Sequence, residues 1–461
     1  MDELVARVNG FLELVSGYLW GWPMVALLLG THVFFTIRLR FIQRYTGLAI
    51  KLSFRRDGQS EGDVSQFGAL TTALAATIGT GNIVGVATAV SLGGPGAVLW
   101  CWLTGVFGIA TKYAEALLGV KYRVKTASGT MLGGPMYALE RGLGMKWLGV
   151  LFAIFTALAA FGIGNLVQSN AIAKLTGRTF GLSPWATGAA LTALVGLVIL
   201  GGIRWIARVC EGIVPFMAVF YVAGCLVILC TNLSTLPDTL WLIVRSAFTG
   251  QAAAGGFAGA SVSAAVRWGV ARGLFSNESG LGSAPIVAAA AQTRNPVRQA
   301  LVSSTGTFWD TVVVCALTGL VLVNTGVWNH PTAAGEAGVQ LTREAFDSVH
   351  SIGPVVLTVG LLTFVFTTII GWEYYGERAA EYLLGRAVIW PYRLAWVVAV
   401  LVGAVVSVPV VWNFADVANA LMAIPNLVAL LLLHKVIVAE TERYLWSGHI
   451  EEEEARNATA R

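Results

Sequence analysis

An apolar run from Phe67 to Leu92 carries at its centre the stretch LAATIGTGNIVG, Leu74–Gly85. The run is long enough to cross a hydrocarbon layer as a helix rising ~1.5 Å per residue. Gly79, Gly81 and Asn82 stand at its mid-depth, where a helix is expected to break. Backbone that leaves a helix in the membrane exposes N–H and C=O groups costing several kcal/mol each if unmet. Such a break survives only where protein, water, an ion or a substrate satisfies it. The Gly81-x-x-x-Gly85 spacing also suits two helices that merely pack closely, so the break gains weight only from a second one.

Composition decides the class. Hydrophobic residues make up 56% and charged ones 12% of the chain, against about 45–50% and about 25% in soluble domains. The apolar residues fall in long runs rather than stripes, so the chain reads as an all-α polytopic membrane protein whose surroundings are the lipid bilayer. Eleven spans are expected, at 14–37, 67–91, 97–119, 147–172, 184–203, 212–231, 244–266, 299–323, 353–375, 391–408 and 412–434. The acidic start MDELVARVNG precedes no small-residue cleavage site, and the first apolar segment reads as a retained span. Cys101, Cys210, Cys225, Cys230 and Cys315 form no CxxC pair and read as small core residues. The scattered histidines accompany no HExxH or GxSxG motif, which argues against an enzyme.

With the N-terminus outside, 25 of the 30 Lys and Arg residues fall on the cytoplasmic side, Arg267 and Arg272 among them. Only Arg7, Lys174, Arg178, Arg245 and Arg343 fall outside. The expected placement is N-terminus out and C-terminus in, in a bacterial or archaeal cell (inner) membrane. The net charge of +5 follows from this asymmetry and calls for no nucleic acid. Glu115, Glu278, Glu373 and Glu377 adjoin basic residues, where ion pairing or solvation at a cytoplasmic edge is expected. Asp310 lies deeper, and an intramembrane acid is a functional candidate. The basic segment Arg38–Ser65 is suited to lie along headgroups. Residues 324–351 read as an outer loop over a vestibule, and the tail after Lys435 as a solvated charge run.

The second break is expected at Gly255-Gly256-Phe257-Ala258-Gly259, within the span 244–266. The two broken spans run in opposite directions, each opening a set of five helices. This is the pattern of an inverted repeat with discontinuous helices, binding substrate and ion between the breaks. The expected organisation is an extra N-terminal helix (1–45), a cytoplasmic amphipathic segment (46–66), a first five-helix repeat (67–231), a second, inverted one (244–434) and a cytoplasmic tail (435–461). The half-helix ending near Ile78 frees carbonyls, including those of Ala75 and Ile78, at the negative end of its dipole, which suits a small cation. The outer half begins near Asn82 and turns N–H groups to the same gap, which suits a carboxylate. The break holds no Asp or Glu, so a small neutral amino acid fits better than a cationic amine. Gly79, Thr80, Gly81, Asn82, Gly256 and Phe257 line the gap in this reading, and Trp372 projects toward it from the ninth span. Asn165, Gln168 and Ser169 share a helix face, open either to interhelical hydrogen bonds or to substrate. Thr363, Thr367 and Thr368 are open either to bonding their own helix or to ligating Na⁺.

The runs GTGN (Gly79–Asn82), GGPGAVLWCWLTGVFG (Gly93–Gly108), GGPMYALERGLG (Gly133–Gly144), FSNESGLGSAP (Phe275–Pro285) and GWEYYGER (Gly371–Arg378) resemble the alanine or glycine:cation symporters, the sodium:alanine symporter family. The similarity covers nearly the whole chain. It implies a LeuT-like fold of five plus five helices with one extra N-terminal helix, matching the eleven spans. It implies secondary active import of alanine or glycine with Na⁺ as the co-transported ion. It favours Gln168 as a substrate contact and places two adjacent hydroxyls beside the first broken helix. The Na⁺ cage expected here combines the carbonyls of Ala75, Ile78 and Phe364 with the hydroxyls of Thr367 and Thr368. An H⁺-coupled symporter of the same fold, using Asp310, is the alternative. A monomer is expected, with the oligomeric state left open by the sequence.

Overall fold

The structure is a computed structural model that describes residues 2–55, 60–249, 262–329, 337–349, 352–406 and 409–453. In chain order its helices are α1 (Asp2–Leu19), α2 (Trp22–Arg38), α3 (Thr46–Ser53), α4 (Gln66–Thr77), α5 (Gly81–Gly93), α6 (Gly96–Lys121), α7 (Lys146–Phe180), α8 (Pro184–Ile199), α9 (Gly202–Thr231), α10 (Leu236–Thr249), α11 (Val262–Asn277), α12 (Ala284–Ala288), α13 (Pro296–Asn324), α14 (Ala337–Asp347), α15 (Gly353–Leu384), α16 (Ile389–Val405), α17 (Pro409–Leu432) and α18 (His434–Thr441). A small antiparallel ribbon, β1 (Val124–Lys125) with β2 (Met131–Leu132), sets Val124 opposite Leu132.

Helix starts follow their caps. The Ser65 hydroxyl opens α4 by accepting the Gly68 amide at 2.8 Å, and it donates to Glu211 at 2.7 Å. Asn295, followed by Pro296, opens α13 by accepting the Arg298 amide at 2.9 Å. Large apolar side chains such as Leu197, Phe216, Val219 and Val398 are exposed, as a bilayer-facing surface requires. Lipid tails are as apolar as leucine, so small residues at close approaches decide which helices meet. Gly371 of α15 is one: a Cβ there would stand 2.8 Å from the Ala76 amide nitrogen of α4. That approach brings the preceding turn of α15 onto the first break.

Among the described residues, eight helical stretches are long and apolar enough to cross a bilayer, α1 and α2 together forming one over Arg7–Arg38, and α4 with α5, bent by 53°, passes the same test as a pair. Helix α8, shorter but apolar, matches the expected span 184–203. The departure is at 244–266. Helix α10 ends at Thr249 and α11 runs Val262–Asn277. Gly255–Gly259, including Gly256 and Phe257, lies outside the described residues. The break that the structure does show near Gly81 follows α11, at Glu278–Ser283, where Glu278, Gly280 and Gly282 have φ of 55°, 94° and 86°. Helix α10 instead lies against α6, with the Trp100 indole donating to the Ala247 carbonyl at 3.2 Å. The later register of α11 also moves Arg272 from its expected inner position into a cavity shared with Lys174, Arg178 and Arg343.

Two expectations about charge are corrected. Glu115 and Glu278 are buried rather than solvated at an edge, while Glu373 and Glu377, also buried, keep the expected ion pairing. Glu377 is held by Arg378 and Arg393, and Glu373 lies 4.0 Å from Arg393. The tail after Lys435 is docked rather than free in solution as far as residue 453. Glu440 pairs with Lys121 at 3.0 Å, Glu451 pairs with Arg298 at 2.6 Å and Arg55 at 2.9 Å, and the Arg40 guanidinium covers the Trp446 ring. Buried Tyr444 and Leu445 supply the apolar contact that the charge pattern hid.

Candidate functional site

The first break is a transfer of hydrogen bonds. In a continuous helix the Gly79 amide would bond the Ala75 carbonyl; here it bonds the Asn82 side-chain oxygen at 2.8 Å. The Asn82 amide bonds the Gly79 carbonyl at 3.3 Å instead of that of Ile78, which adopts an extended conformation as the α4 cap. Both carbonyls expected to face a cation, Ala75 and Ile78, are thus released from the helical ladder. A Cβ on Gly79 would stand 2.6 Å from the Thr368 hydroxyl, so glycine there lets α15 close on the break.

Thr368 Oγ1 donates to the Phe364 carbonyl at 2.8 Å and lies 3.4 Å from the Ile78 carbonyl oxygen. Thr367 points elsewhere. Its hydroxyl donates to the same Phe364 carbonyl at 3.0 Å with Met217 Sδ of α9 at 3.4 Å. Of the five expected Na⁺ ligands, Ile78, Phe364 and Thr368 therefore meet directly, Ala75 offers a released carbonyl one turn back, and Thr367 faces a neighbouring helix. Thr363 bonds its own helix, to Val359 and Gly360.

Asn82 carries the break across to α13. Its Nδ2 donates to Asp310 Oδ1 at 2.6 Å, while Asp310 Oδ2 accepts from Ser276 at 3.0 Å and Thr311 at 2.6 Å. One buried carboxylate thus joins the first break, the end of α11 and α13. The helix widens into π turns at Phe308–Cys315, as it does at Gly81–Gly85 and Ala160–Leu166, all three beside the break. The π turn in α7 also separates the polar set expected on one face. Gln168 donates to the Ile163 carbonyl at 3.0 Å and reaches Thr80 Oγ1 at 3.4 Å, whereas Asn165 donates to the Trp396 carbonyl on the other side.

A cavity of about 590 Å³ has Thr80, Gly81 and Phe275 among its walls and extends to the exposed Lys174 and Arg178. Helix α14, in the expected outer loop, contributes Thr342, Arg343 and Asp347. Phe275 and Ser276 face Gly81, 3.4 and 3.6 Å from a Cβ placed on it, while Phe257, expected at this gap, lies outside the described residues. Trp372 is buried behind this wall, edge-on to Tyr375 at 5.5 Å and so close to α7 that a Cβ on Gly164 would stand 2.2 Å from its own. Its side chain reaches the Glu278 carboxyl at the second break. Phe275 and Ser276 were missed as site residues. FSNESG was visible as a motif, but its polar residues hid a break at membrane depth.

The sequence model of the "Sodium:alanine symporter family" matches residues 5–458. The chain is 52% identical to "Sodium/alanine symporter AgcS" of Methanococcus maripaludis over 99% of this chain and 100% of that protein. It is 54% identical to an "Uncharacterized transporter" of Haemophilus influenzae over 95% and 96% of the two chains. The crystal structure of MhsT in complex with L-phenylalanine shares the fold with a TM-score of 0.60 at 15% identity, covering 84% of this chain and 95% of that one. The fold is LeuT-like, and the chain, a multi-pass membrane transporter and not an enzyme, belongs to the sodium:alanine symporter family.

Proposed function

We propose that this protein imports alanine or glycine together with Na⁺ by alternating access. The observation that carries the reading is the first break, where the released carbonyl of Ile78 lies beside the Thr368 hydroxyl at the negative end of α4, one turn after the released carbonyl of Ala75. Hard oxygen ligands of this kind suit Na⁺. Thr80 and Gly81, at the cavity where α5 begins, offer amides to a carboxylate. Phe275 at the cavity wall and Trp372 behind it leave room for a small side chain. Gln168 reaches the same break through Thr80. Bound Na⁺ would stabilise the approach of α4 and α15, so that substrate and ion favour one arrangement of the two five-helix sets, 67–231 and 244–434. We place the protein as a monomer in a bacterial or archaeal cell membrane.

The second reading, H⁺ coupling, draws on the three donors gathered around Asp310. Counterflow and uptake of radiolabelled amino acids in proteoliposomes separate the two. Alanine or glycine should accumulate only with an inward Na⁺ gradient. Equal accumulation driven by a proton gradient without Na⁺ would overturn the Na⁺ reading.

A further inference from the structure

The loop Glu278–Ser283 has left-handed backbone at three positions and no helical ladder, so each of its amides needs a partner. The partners are specific. The Ser279 amide bonds Asn277 Oδ1 at 2.9 Å, and the Leu281 amide bonds the Glu278 carbonyl at 3.2 Å. The amides of Gly280 and Gly282 both donate to one atom, Oε1 of Glu115 on α6, at 2.9 and 3.0 Å. The same oxygen accepts from Asn426 Nδ2 of α17 at 2.6 Å, and that nitrogen also donates to the Gly280 carbonyl at 2.9 Å. Glu115 and Asn426 are both buried, and neither lines the cavity.

The loop is closed from behind as well. A Cβ on Gly280 would stand 2.5 Å from Leu28, and one on Gly282 would stand 2.7 Å from Pro135. The end of α11 faces the first break, through Phe275 and Ser276. The two breaks are thus built alike: Asn82 collects an amide of the first and ties it to Asp310, while Glu115 collects two amides of the second. We infer that Glu115 is a positioning residue for the second break, fixing where Phe275 and Ser276 meet Gly81; the inference rests on the transport reading above. The carboxylate accepts three hydrogen bonds at a single oxygen, a load that a neutral amide carries less well. Charge also matters locally, since Lys112 lies one turn before Glu115 and is itself buried.

The test uses the full chain in proteoliposomes with Glu115→Gln and Asn426→Leu. Each is expected to raise the KM for alanine about tenfold while leaving the Na⁺ concentration for half-maximal uptake within about twofold, because the Na⁺ ligands hang from the first break. The double variant should resemble either single one, since both act through the same oxygen. Should Glu115→Gln fail to fold, Asn426→Leu decides alone. A second readout needs no substrate: a Phe275→Cys variant is labelled with an aqueous thiol reagent against the chain lacking that cysteine. Its labelling rate should change several-fold when Glu115→Gln is added. If wild type moves no alanine, the transport reading fails, and the labelling still tests Glu115. An unchanged KM together with an unchanged labelling rate, or an uptake loss that only tracks the amount of folded protein, would overturn the inference.

Discussion

Thr368 Oγ1 stands 3.4 Å from the carbonyl oxygen of Ile78, joining α15 to the end of α4 across 290 residues of chain. The contact puts a hydroxyl at the one point where the first span stops being helical, and Gly79 is what allows it.

Thr368→Val keeps the shape and deletes the oxygen. A lost contact to a charged group costs ~1.5–3 kcal/mol, so the Na⁺ concentration for half-maximal uptake should rise roughly tenfold or more. Thr367→Val should shift it less, because that hydroxyl faces Met217. Uptake measured against Na⁺ concentration checks both. Unchanged Na⁺ dependence in both variants would remove this cage.

Trp372→Ala removes a buried ring between α7 and the second break. Competition by a panel of neutral amino acids should show larger side chains admitted and alanine bound more weakly. An unchanged substrate range would leave Trp372 a packing residue.

Asp310→Asn faces the Asn82 amide with a weaker acceptor or with a second donor. Loss of charge-assisted bonds of ~1.5–3 kcal/mol predicts a transport rate at least about tenfold lower, measured at saturating Na⁺ and alanine. On the Na⁺ reading the residual uptake keeps its pH profile. On the proton reading the dependence on external acidity disappears.

Glu451 anchors the tail. Partial burial works to raise its pKa, but the hydrogen bond and charge of Arg298, with Arg55 and Arg294, outweigh it and hold the carboxyl below its ordinary value. A pKa lowered on docking contributes stability above the free value, about 4.3, and that contribution is lost as pH falls through the docked value. The tail should therefore stay docked at neutral pH and release only in stronger acid. Glu451→Gln should release it at neutral pH, read as faster limited proteolysis of the tail.

The proposed orientation puts the C-terminus inside on the count of basic residues, and it holds with Arg272 reassigned to the cavity side. A reporter active only in the cytoplasm, fused after Arg461, should be active. Activity of a periplasmic reporter there would reject the proposed orientation.

The sequence by itself determined the class, the first break and the nature of its ends. Long apolar runs demand helices in lipid, and Gly79, Gly81 and Asn82 in mid-run demand a break whose released carbonyls can be named in advance. Tertiary structure decided the rest. A hydrophobic run reports burial in lipid but not where a polar loop can survive; ESGLGS does so at depth only because Glu115 and Asn426 arrive from distant helices. Helical spacing put Asn165 and Gln168 on one face, and the π turns of Ala160–Leu166 set them on different neighbours. Thr367 and Thr368 are equal as sequence. They differ because adjacent residues on a helix point about 100° apart, and the closeness of Gly371 to Ala76 turns only Thr368 toward the break.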